Sequence, residues 1–208
     1  MDTQAIFQAV LDYKKSAVEE LVKAELQSGT DVLTLLNKGL IAGLDEVGRR
    51  FSEGTLFVPE MMLAAKVVES GLEVLRPQLV GKDIKPIGTV IIGTVEGDLH
   101  DIGKNLVSMM LEGSGFKVLD LGIDVKADSF VTAAEDNQAD LVGLSALLTT
   151  TMPAMERTVR MLKEQMDSIK ILVGGAPVNK DFAKNIGADG FSKDAPSAVI
   201  VARKLMGV

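Results

Sequence analysis

Apolar residues in the first 80 positions recur at steps of three and four, the spacing of an amphipathic helix. The recurring positions in the clearest stretches are Ala17, Val18, Leu21, Val22, Leu33, Leu36, Leu40, Leu44 and Val47. Turn-forming residues interrupt the pattern at 28–31 (SGTD) and 52–55 (SEGT), and Pro59 suits the first turn of a helix that runs to about residue 79. We therefore predict four helices, the first of them short, packed as an antiparallel bundle.

A second pattern begins after 81–86 (GKDIKP), a polar turn that is predicted to be a linker and a hinge. Short apolar runs then alternate with amphipathic segments. Strands are predicted at 87–94, 116–120, 140–145, 169–174 and, weakly, 188–192. Helices are predicted at 101–113, 127–137, 152–166, 179–186 and 195–206. Strands that are apolar throughout are typical of a parallel sheet covered by helices on both faces.

The chain is thus predicted to have two domains, an all-α domain over 1–80 and an α/β domain over 87–208. The length of the second domain suits a flavodoxin-like, Rossmann-like, doubly wound sheet of five parallel strands in the order 2-1-3-4-5. In such sheets a ligand binds outside the carboxyl ends of the strands, at the switch point between strands 1 and 3. Candidate functional residues are therefore expected at that edge.

Unusual residues follow three of the predicted strands at this edge. Strand 1 leads into 97–103 (GDLHDIG), strand 3 into 145–151 (SALLTTT), and strand 4 into 174–177 (GGAP). His100 is the only histidine in the 208 residues and stands between Asp98 and Asp101. Taken singly, a solvated histidine, a helix-capping threonine and a Gly-Gly turn are the more ordinary explanations. Their convergence on one edge predicts a ligand site there.

Composition narrows the classes of function. The net charge of −7 opposes nucleic acid binding and docking on an anionic membrane, since both need clustered basic residues. The sequence has no cysteine, which excludes thiolate nucleophiles, cysteine-ligated metal centres and disulfides. The N-terminus lacks the pattern of a signal peptide, and no apolar run approaches the length of a membrane span. We therefore expect a cytoplasmic protein.

Three motifs at the predicted edge resemble the signature of cobalamin-binding domains. They are Asp98-x-His100-x-x-Gly103, Ser145-x-Leu147 and Gly174-Gly175, in this order along the chain. Residues 1–80 resemble the helical cap domain of the same family, which occurs in methionine synthase and in the corrinoid proteins of methylamine and methanol methyltransferase systems. The resemblance covers essentially the whole chain.

The resemblance implies a role for each motif. His100 would replace the cofactor's own benzimidazole as the lower axial ligand of cobalt, the base-off, His-on state. Asp98 would pair with the second ring nitrogen, and Thr151 matches a hydroxyl, often serine in the family, that extends this relay. Further implied contacts around the histidine are Gly97, Asp101, Ile102 and Gly103. The positions that match a slot for the displaced nucleotide tail are Ser145, Leu147, Thr149, Gly174 and Gly175.

Two of these positions have second interpretations. Asp101 also suits a helix N-cap or a polar contact, and Thr151 could cap the helix that follows it. In the first domain, 54–63 (GTLFVPEMML) resembles the part of the cap that covers the upper face of cobalt, with Phe57 as the covering aromatic residue. Met61 and Met62 would add apolar cover, and Glu60 stands where glutamine is expected. Such residues at the start of a helix more often belong to a core.

The resemblance implies a corrinoid methyl carrier rather than a complete enzyme. Its cobalt would cycle between cob(I)alamin and methylcobalamin, and the protein would orient and tune it. The implied partners are a donor-specific methyltransferase, an acceptor methyltransferase and a reductive activator. Methylamines, methanol, betaines and methoxylated aromatics all stay open as donors, because a partner chain would recognise them.

The alternatives are two other kinds of cobalamin protein and one unrelated class. A light-sensing transcription regulator needs a DNA-binding module, for which this sequence has no basic segment. The cobalamin subunit of a radical mutase shares the Asp-x-His-x-x-Gly motif but normally lacks the N-terminal helices. A signalling receiver needs a phosphorylatable aspartate after strand 3, where this chain has serine and threonine. Cobalamin binding without methyl transfer, in a regulatory or mutase-type module, is thus the second hypothesis.

Overall fold

The computed structural model of the protein describes residues 3–80 and 86–208, which divide into two units. The first unit comprises the described residues before 81 together with Glu112–Ser114, and the second comprises Pro86–Leu111 and Gly115–Val208. The predicted linker at 81–86 lies, apart from Pro86, outside the described residues. The domain limits of 1–80 and 87–208 therefore stay a prediction.

The first unit is helical. Its elements are α1 (Thr3–Leu11), α2 (Lys15–Gln27), α3 (Val32–Thr34), a π-helical segment (Leu35–Ile41), α4 (Ala42–Ser52) and α5 (Val58–Val80). Helix α3, the π-helical segment and α4 follow one another without a break, so the unit has four helical rods. The chain turns at Gly29 and Gly54, both with positive φ, and Asp31 caps α3 by accepting a hydrogen bond from the Thr34 N–H at 3.0 Å. Both predicted breaks are confirmed.

The second unit alternates strands and helices. The strands are β1 (Thr89–Thr94), β2 (Lys117–Asp120), β3 (Leu141–Ser145), β4 (Lys170–Gly174) and β5 (Gly190–Ser192). The helices are α6 (Ile102–Gly113), α7 (Ala127–Asp136), α8 (Met152–Gln165), α9 (Lys180–Asn185) and α10 (Ala195–Leu205). All four strand pairings are parallel, and the order is β2-β1-β3-β4-β5. The predicted doubly wound sheet is confirmed.

The apolar strands of this sheet are buried because helices cover them. The core includes Ile91, Val142 and Ile171 from three neighbouring strands, with Phe130 of α7 and Met155 of α8 packed against them. Burying a side chain of this size contributes about 1.5–3 kcal/mol. This packing fixes where each strand ends and therefore where the loop that follows it begins. Over the described ranges, no helix combines the length and apolarity needed to cross a membrane.

The register of the central strands brings three loops to one level. Thr94 of β1 is paired with Ser145 of β3, which is paired with Gly174 of β4. These are the last residues of their strands, so the segments that follow them start side by side at the carboxyl edge. A bridge between Val95 and Val125 extends the β1–β2 pairing beyond the strands and adds the loop after β2 to the same edge.

Gly175 is required by the fold at this edge. Its φ is +125°, and a Cβ at this position would lie 1.8 Å from the carbonyl oxygen of Ala146. Residues with a side chain rarely adopt such a φ. The clash would be with a backbone atom, so the movement of a flexible side chain cannot relieve it. The second glycine of the Gly-Gly pair thus lets the loops after β3 and β4 approach each other.

Substitution of Gly175 by alanine should therefore destabilise the protein before any ligand is considered. We expect Gly175→Ala to lower the free energy of unfolding by about 3 kcal/mol or more, measured by urea denaturation followed by circular dichroism. The matched control is Gly187→Ala, where φ is +82° and a Cβ would meet nothing within 4 Å. It should cost only the backbone term of about 1–2 kcal/mol. Equal losses for the two variants would contradict the clash.

Candidate functional site

The carboxylate of Asp98 lies at the centre of the carboxyl edge and is fully buried. Its Oδ1 accepts a hydrogen bond from the backbone N–H of His100 at 3.1 Å and lies 2.7 Å from the ring Nδ1 of His100. The turn after β1 therefore folds back so that an acid is held behind the only imidazole of the chain. The predicted pairing of these two residues is present in the geometry.

The other oxygen of Asp98 binds the loop after β3. Oδ2 accepts hydrogen bonds from the N–H of Leu147 at 2.7 Å, the N–H of Leu148 at 3.3 Å and the hydroxyl of Thr151 at 2.8 Å. The Thr151 hydroxyl also lies 2.9 Å from the Leu148 carbonyl oxygen. Its single proton is better placed on the charged carboxylate, because hydrogen bonds to ionised acceptors are the stronger ones. One side chain thus joins two loops that are about 50 residues apart in sequence.

Asp98 stays ionised because donors surround it. Burial alone raises the pKa of this carboxyl, but hydrogen bonds from the Leu147 amide, the His100 ring and the Thr151 hydroxyl, with the His100 amide, bring the pKa well below its usual value. An ionised carboxylate can only accept hydrogen bonds. The Nδ1 of His100 must therefore carry a proton, and in the neutral ring this leaves the lone pair on Nε2.

His100 presents this second nitrogen at an accessible position. The imidazole is 50% exposed, and Nε2 has no partner within the part of the chain that the structure describes. Neutral imidazole is a common ligand of transition metals, and a carboxylate on its other nitrogen is the usual support for that role. The geometry can therefore offer one nitrogen ligand, in a fixed tautomer, to a metal at the carboxyl edge.

Backbone contacts also hold the turn that carries His100. The hydroxyl of Thr94, at the end of β1, donates to the carbonyl oxygen of His100 at 2.9 Å and is fully buried. Gly97 adopts a left-handed conformation, with φ of +84°, where the chain reverses. Sequence reasoning did not identify Thr94 as part of the site, because a threonine at the end of a strand is ordinary.

A partly buried ion pair at the start of α6 was also missed. The Lys104 ammonium is almost fully buried, pairs with Asp120 at the end of β2, and donates to the side-chain oxygen of Asn105 at 2.6 Å. This ion pair fixes the first turn of the helix that follows His100 to the neighbouring strand. The only sequence signal was a lysine directly after Gly103, which by itself is typical of a solvated helix face.

Exposed apolar side chains lie on the segments that follow β1, β2 and β3 at this edge, and together they are called the apolar rim here. They are Leu99, Ile102, Ile123, Leu147 and Leu148, and all of them are more than one third exposed. A cluster of exposed apolar side chains next to a polar centre is typical of a binding surface. The apolar rim suits a large and flat ligand that contacts the imidazole at its centre.

Gly103 differs from Gly175 because the protein itself does not need it. It lies in the first turn of α6 without a positive φ, and a Cβ there would meet nothing within 4 Å. Glycine in a helix costs about 0.5–1 kcal/mol relative to alanine. The open space beside Gly103, here called the open cradle, leaves room for a bulky group against the backbone three residues after His100.

The remaining predicted contacts of the second unit have varied positions. Asp101 precedes α6 and accepts a hydrogen bond from the Asn105 side chain at 3.0 Å. This is a polar contact, as in the second interpretation of Asp101 from the sequence. Ser145 is half-buried at the end of β3, and Thr149 is exposed in the loop that follows. A Cβ on Gly174 would lie 3.0 Å from the Ser192 carbonyl oxygen. Both glycines of the Gly-Gly pair thus have reasons within the fold.

In the helical unit, the segment before α5 presents Phe57. This side chain is 71% exposed, and Glu60 fixes its backbone by accepting a hydrogen bond from the Phe57 N–H at 2.6 Å. That contact is one half of a capping box. It shows which polar contact Glu60 makes at the position where the resemblance led us to expect glutamine. Met61, predicted as a cofactor contact, is completely buried, whereas Met62 is 39% exposed. The geometry thus favours Met62 over Met61 as the accessible methionine.

Comparison with known proteins identifies the same two parts of the chain. Family models described as the B12 binding domain match residues 88–200 and residues 3–76. The chain is 40% identical over 202 residues to trimethylamine corrinoid protein 1 of Methanosarcina acetivorans, with 95% of this chain and 94% of that protein covered. It is 42% identical over 209 residues to dimethylamine corrinoid protein 1 of the same organism, with 98% and 96% covered.

A solved structure extends this similarity to the fold. A chain of the methanol:cobalamin methyltransferase complex MtaBC from Methanosarcina barkeri superposes with a TM-score of 0.84 at 32% identity. The superposition covers 99% of the present chain and 79% of the other. The helical part and the doubly wound sheet therefore occur together, in the same order, in a protein of a cobalamin methyltransferase complex.

The stability of the protein should depend on pH through Asp98. The folded-state pKa lies below the ordinary value of 3.8, so the stabilisation is complete above that value and is lost as the pH falls below it. We expect Asp98→Asn to be less stable than the natural protein at pH 7, because an amide cannot satisfy five donors. The difference in unfolding free energy between the two proteins should shrink below about pH 4, where an ordinary aspartate begins to take up a proton. Urea denaturation at a series of pH values measures it.

A control for this pH dependence is Glu46 in the helical unit. Hydrogen bonds from Arg49 and Arg50 lower the pKa of Glu46 to about 2. Because both arginines are partly solvated, high salt should remove most of the difference between Glu46→Gln and the natural protein. The Asp98→Asn difference should persist in high salt, and its disappearance there would contradict a buried, hydrogen-bonded origin.

A substitution at Gly103 can test ligand binding without disturbing folding, because a Cβ there meets no atom of the protein. We expect Gly103→Ala to leave the free energy of unfolding of the apoprotein unchanged or to raise it by up to about 1 kcal/mol, since alanine favours a helix. Cobalamin affinity, measured by titration with hydroxocobalamin, should fall because the added methyl group occupies the cradle. Unchanged affinity in a correctly folded variant would mean that the ligand does not approach Gly103.

Proposed function

Because this chain belongs to the cobalamin-binding corrinoid proteins of methyltransferase systems, we propose that it carries a methyl group on bound cobalamin from a donor-specific methyltransferase to an acceptor methyltransferase. The observation that supports the carrier site is the Asp98–His100–Thr151 arrangement, with an accessible Nε2 on the only histidine of the chain. The apolar rim and the open cradle at Gly103 supply the surface that a macrocycle needs.

The bound cofactor would supply the chemistry itself, since reduced cobalt is a strong nucleophile that can hold a methyl group between two partners. The contribution of the chain is to hold and orient. His100 would offer Nε2 as the lower axial ligand, in the base-off, His-on state. Asp98 would keep the ring in the required tautomer, and Thr151 would keep Asp98 in place.

The same three residues would govern how Nε2 of the imidazole exchanges a metal for a proton. Nε2 is the atom that holds either the metal or a proton, since Nδ1 is committed to Asp98. The five donors on Asp98 keep its charge constant in both situations, so the ring can release its ligand without losing its orientation. We propose that ligation and proton uptake are coupled at this nitrogen.

The helical unit would add apolar cover for the cofactor. Phe57 is the residue with the clearest support, because its aromatic side chain is 71% exposed and matches the covering aromatic residue that the resemblance implies. Met62, rather than Met61, would accompany it.

The proposed partners are methyltransferases and a reductive activator, acting in the cytoplasm. The relatives at 40% and 42% identity are a trimethylamine and a dimethylamine protein, whereas the methanol complex is matched at 32%. Identities of this order do not select the donor, because a partner chain would recognise it. The donor assay should therefore include trimethylamine, dimethylamine and methanol, each with its own methyltransferase.

The axial ligand is tested by His100→Ala. We expect the variant to bind hydroxocobalamin but to show the absorption spectrum of cofactor without a histidine ligand, because no second histidine exists to replace it. Methyl transfer from the partner enzymes should fall with it. A spectrum identical to that of the natural protein would refute axial ligation. If the natural protein binds cobalamin but takes a methyl group from no donor in the panel, the regulatory or mutase-type alternative is favoured instead.

A further inference from the structure

The loop after β2 clamps the turn that carries His100, and Asp124 makes both contacts. Its Oδ1 accepts a hydrogen bond from the N–H of Gly97 at 2.7 Å. Its own N–H donates to the carbonyl oxygen of Asp98 at 3.0 Å. One residue thus engages two successive residues of the turn, once as acceptor and once as donor.

The backbone of Asp124 is itself unusual. Its φ is +53°, one of three positive values among the non-glycine residues that the structure describes. A left-handed conformation costs an ordinary residue about 1–2 kcal/mol, and glycine would avoid the cost. Aspartate is among the few other residues that adopt this conformation, because its short side chain can form a hydrogen bond nearby. Here the carboxylate reaches the Gly97 amide.

The restrained turn contains the acid that orients the imidazole. Gly97 and Asp98 directly precede His100, and the Asp98 carboxylate depends on this backbone to reach Nδ1 at 2.7 Å. Contacts from Thr94 and from the loop after β3 hold the other side of the turn. The loop after β2 holds the turn through the two hydrogen bonds of Asp124.

We propose that Asp124 is a positioning residue that sets the tautomer and orientation of His100 by clamping the Gly97–Asp98 turn. The effect is geometric and acts through the acceptor oxygen, not through the charge of the carboxylate. The clamp itself does not depend on any ligand. Its consequence for the cofactor rests on the proposed axial ligation by His100.

Three variants separate the acceptor, the charge and the backbone. Asp124→Gly removes the acceptor and suits the left-handed backbone, so it isolates the side-chain contact. Asp124→Asn keeps an acceptor oxygen and removes the charge. The matched control is Gln138→Gly, because Gln138 is exposed, has φ of +48° and lies in the loop before β3, at the opposite end of that strand from Ser145.

The single histidine makes the readout simple, since nuclear magnetic resonance gives one set of imidazole signals. The apoprotein is measured at alkaline pH, in the range where the ring nitrogen shifts no longer change with pH. In the natural protein we expect ring nitrogen shifts of a protonated Nδ1 and a bare Nε2. In Asp124→Gly both shifts should move towards the average of the two tautomers. Asp124→Asn and Gln138→Gly should resemble the natural protein.

Two results from these spectra would overturn the proposal. Natural shifts in Asp124→Gly would show that the turn does not need the clamp, and equal changes in the glycine and asparagine variants would show that charge is the cause. The natural protein provides a test that no folding defect can affect. Its Gly97 amide should exchange with solvent at least about tenfold more slowly than an unprotected amide, and an unprotected rate would also reject the clamp.

Cobalamin provides the second readout. Asp124→Gly should still bind hydroxocobalamin, with an equilibrium constant for histidine ligation about three- to tenfold lower, below the range seen when a direct partner of a metal ligand is removed. Asp124→Asn should ligate as the natural protein does. If His100→Ala shows that histidine is not the axial ligand, the proposed function fails, while the apoprotein spectra still decide the role of Asp124.

Discussion

The site depends on one buried charge. Asp98 could not remain ionised inside the protein without donors, because an unpaired buried carboxylate costs several kcal/mol. Five hydrogen bonds offset that cost, two from His100 and three from the loop after β3. The same bonds that make the charge tolerable also join the two loops and fix the proton on Nδ1. The contacts that hold the two loops together are therefore the same contacts that orient the imidazole.

Glycines at this edge distinguish what the fold needs from what a ligand needs. Gly175 has a backbone reason, since any side chain there would meet the Ala146 carbonyl. Gly103 has none within the protein, although the helix would be more stable with alanine. Both residues belong to motifs of the same family signature, so the motifs alone do not tell these reasons apart. The space around each residue does: it gives Gly175 a reason within the architecture and leaves Gly103 without one, as the proposed cofactor contact requires.

Much of this could be predicted from the chain alone. The strand order, all five strands and all five helices of the sheet unit agree with the pattern, because periodicity of apolar residues reports directly on which faces are buried. The end of β2 was overlooked, and with it Asp124, whose contact with Gly97 spans 27 residues. The sequence also did not distinguish Met61, which is buried, from Met62, which is 39% exposed. Successive helix residues point about 100° apart, and packing in the bundle decides which of them turns inward.

The sequence by itself determined the type and order of the elements, the uniqueness of His100 and the edge at which the chemistry gathers. These follow from local periodicity and from the rule that parallel strands end together. Only the tertiary structure decided which oxygen of Asp98 meets Nδ1, which donors keep it ionised, and that the loop after β2 clamps the turn. The physical reason is distance along the chain. Thr151 and Asp98 are 53 residues apart, and their hydroxyl–carboxylate contact exists only once the register of β1 and β3 is set.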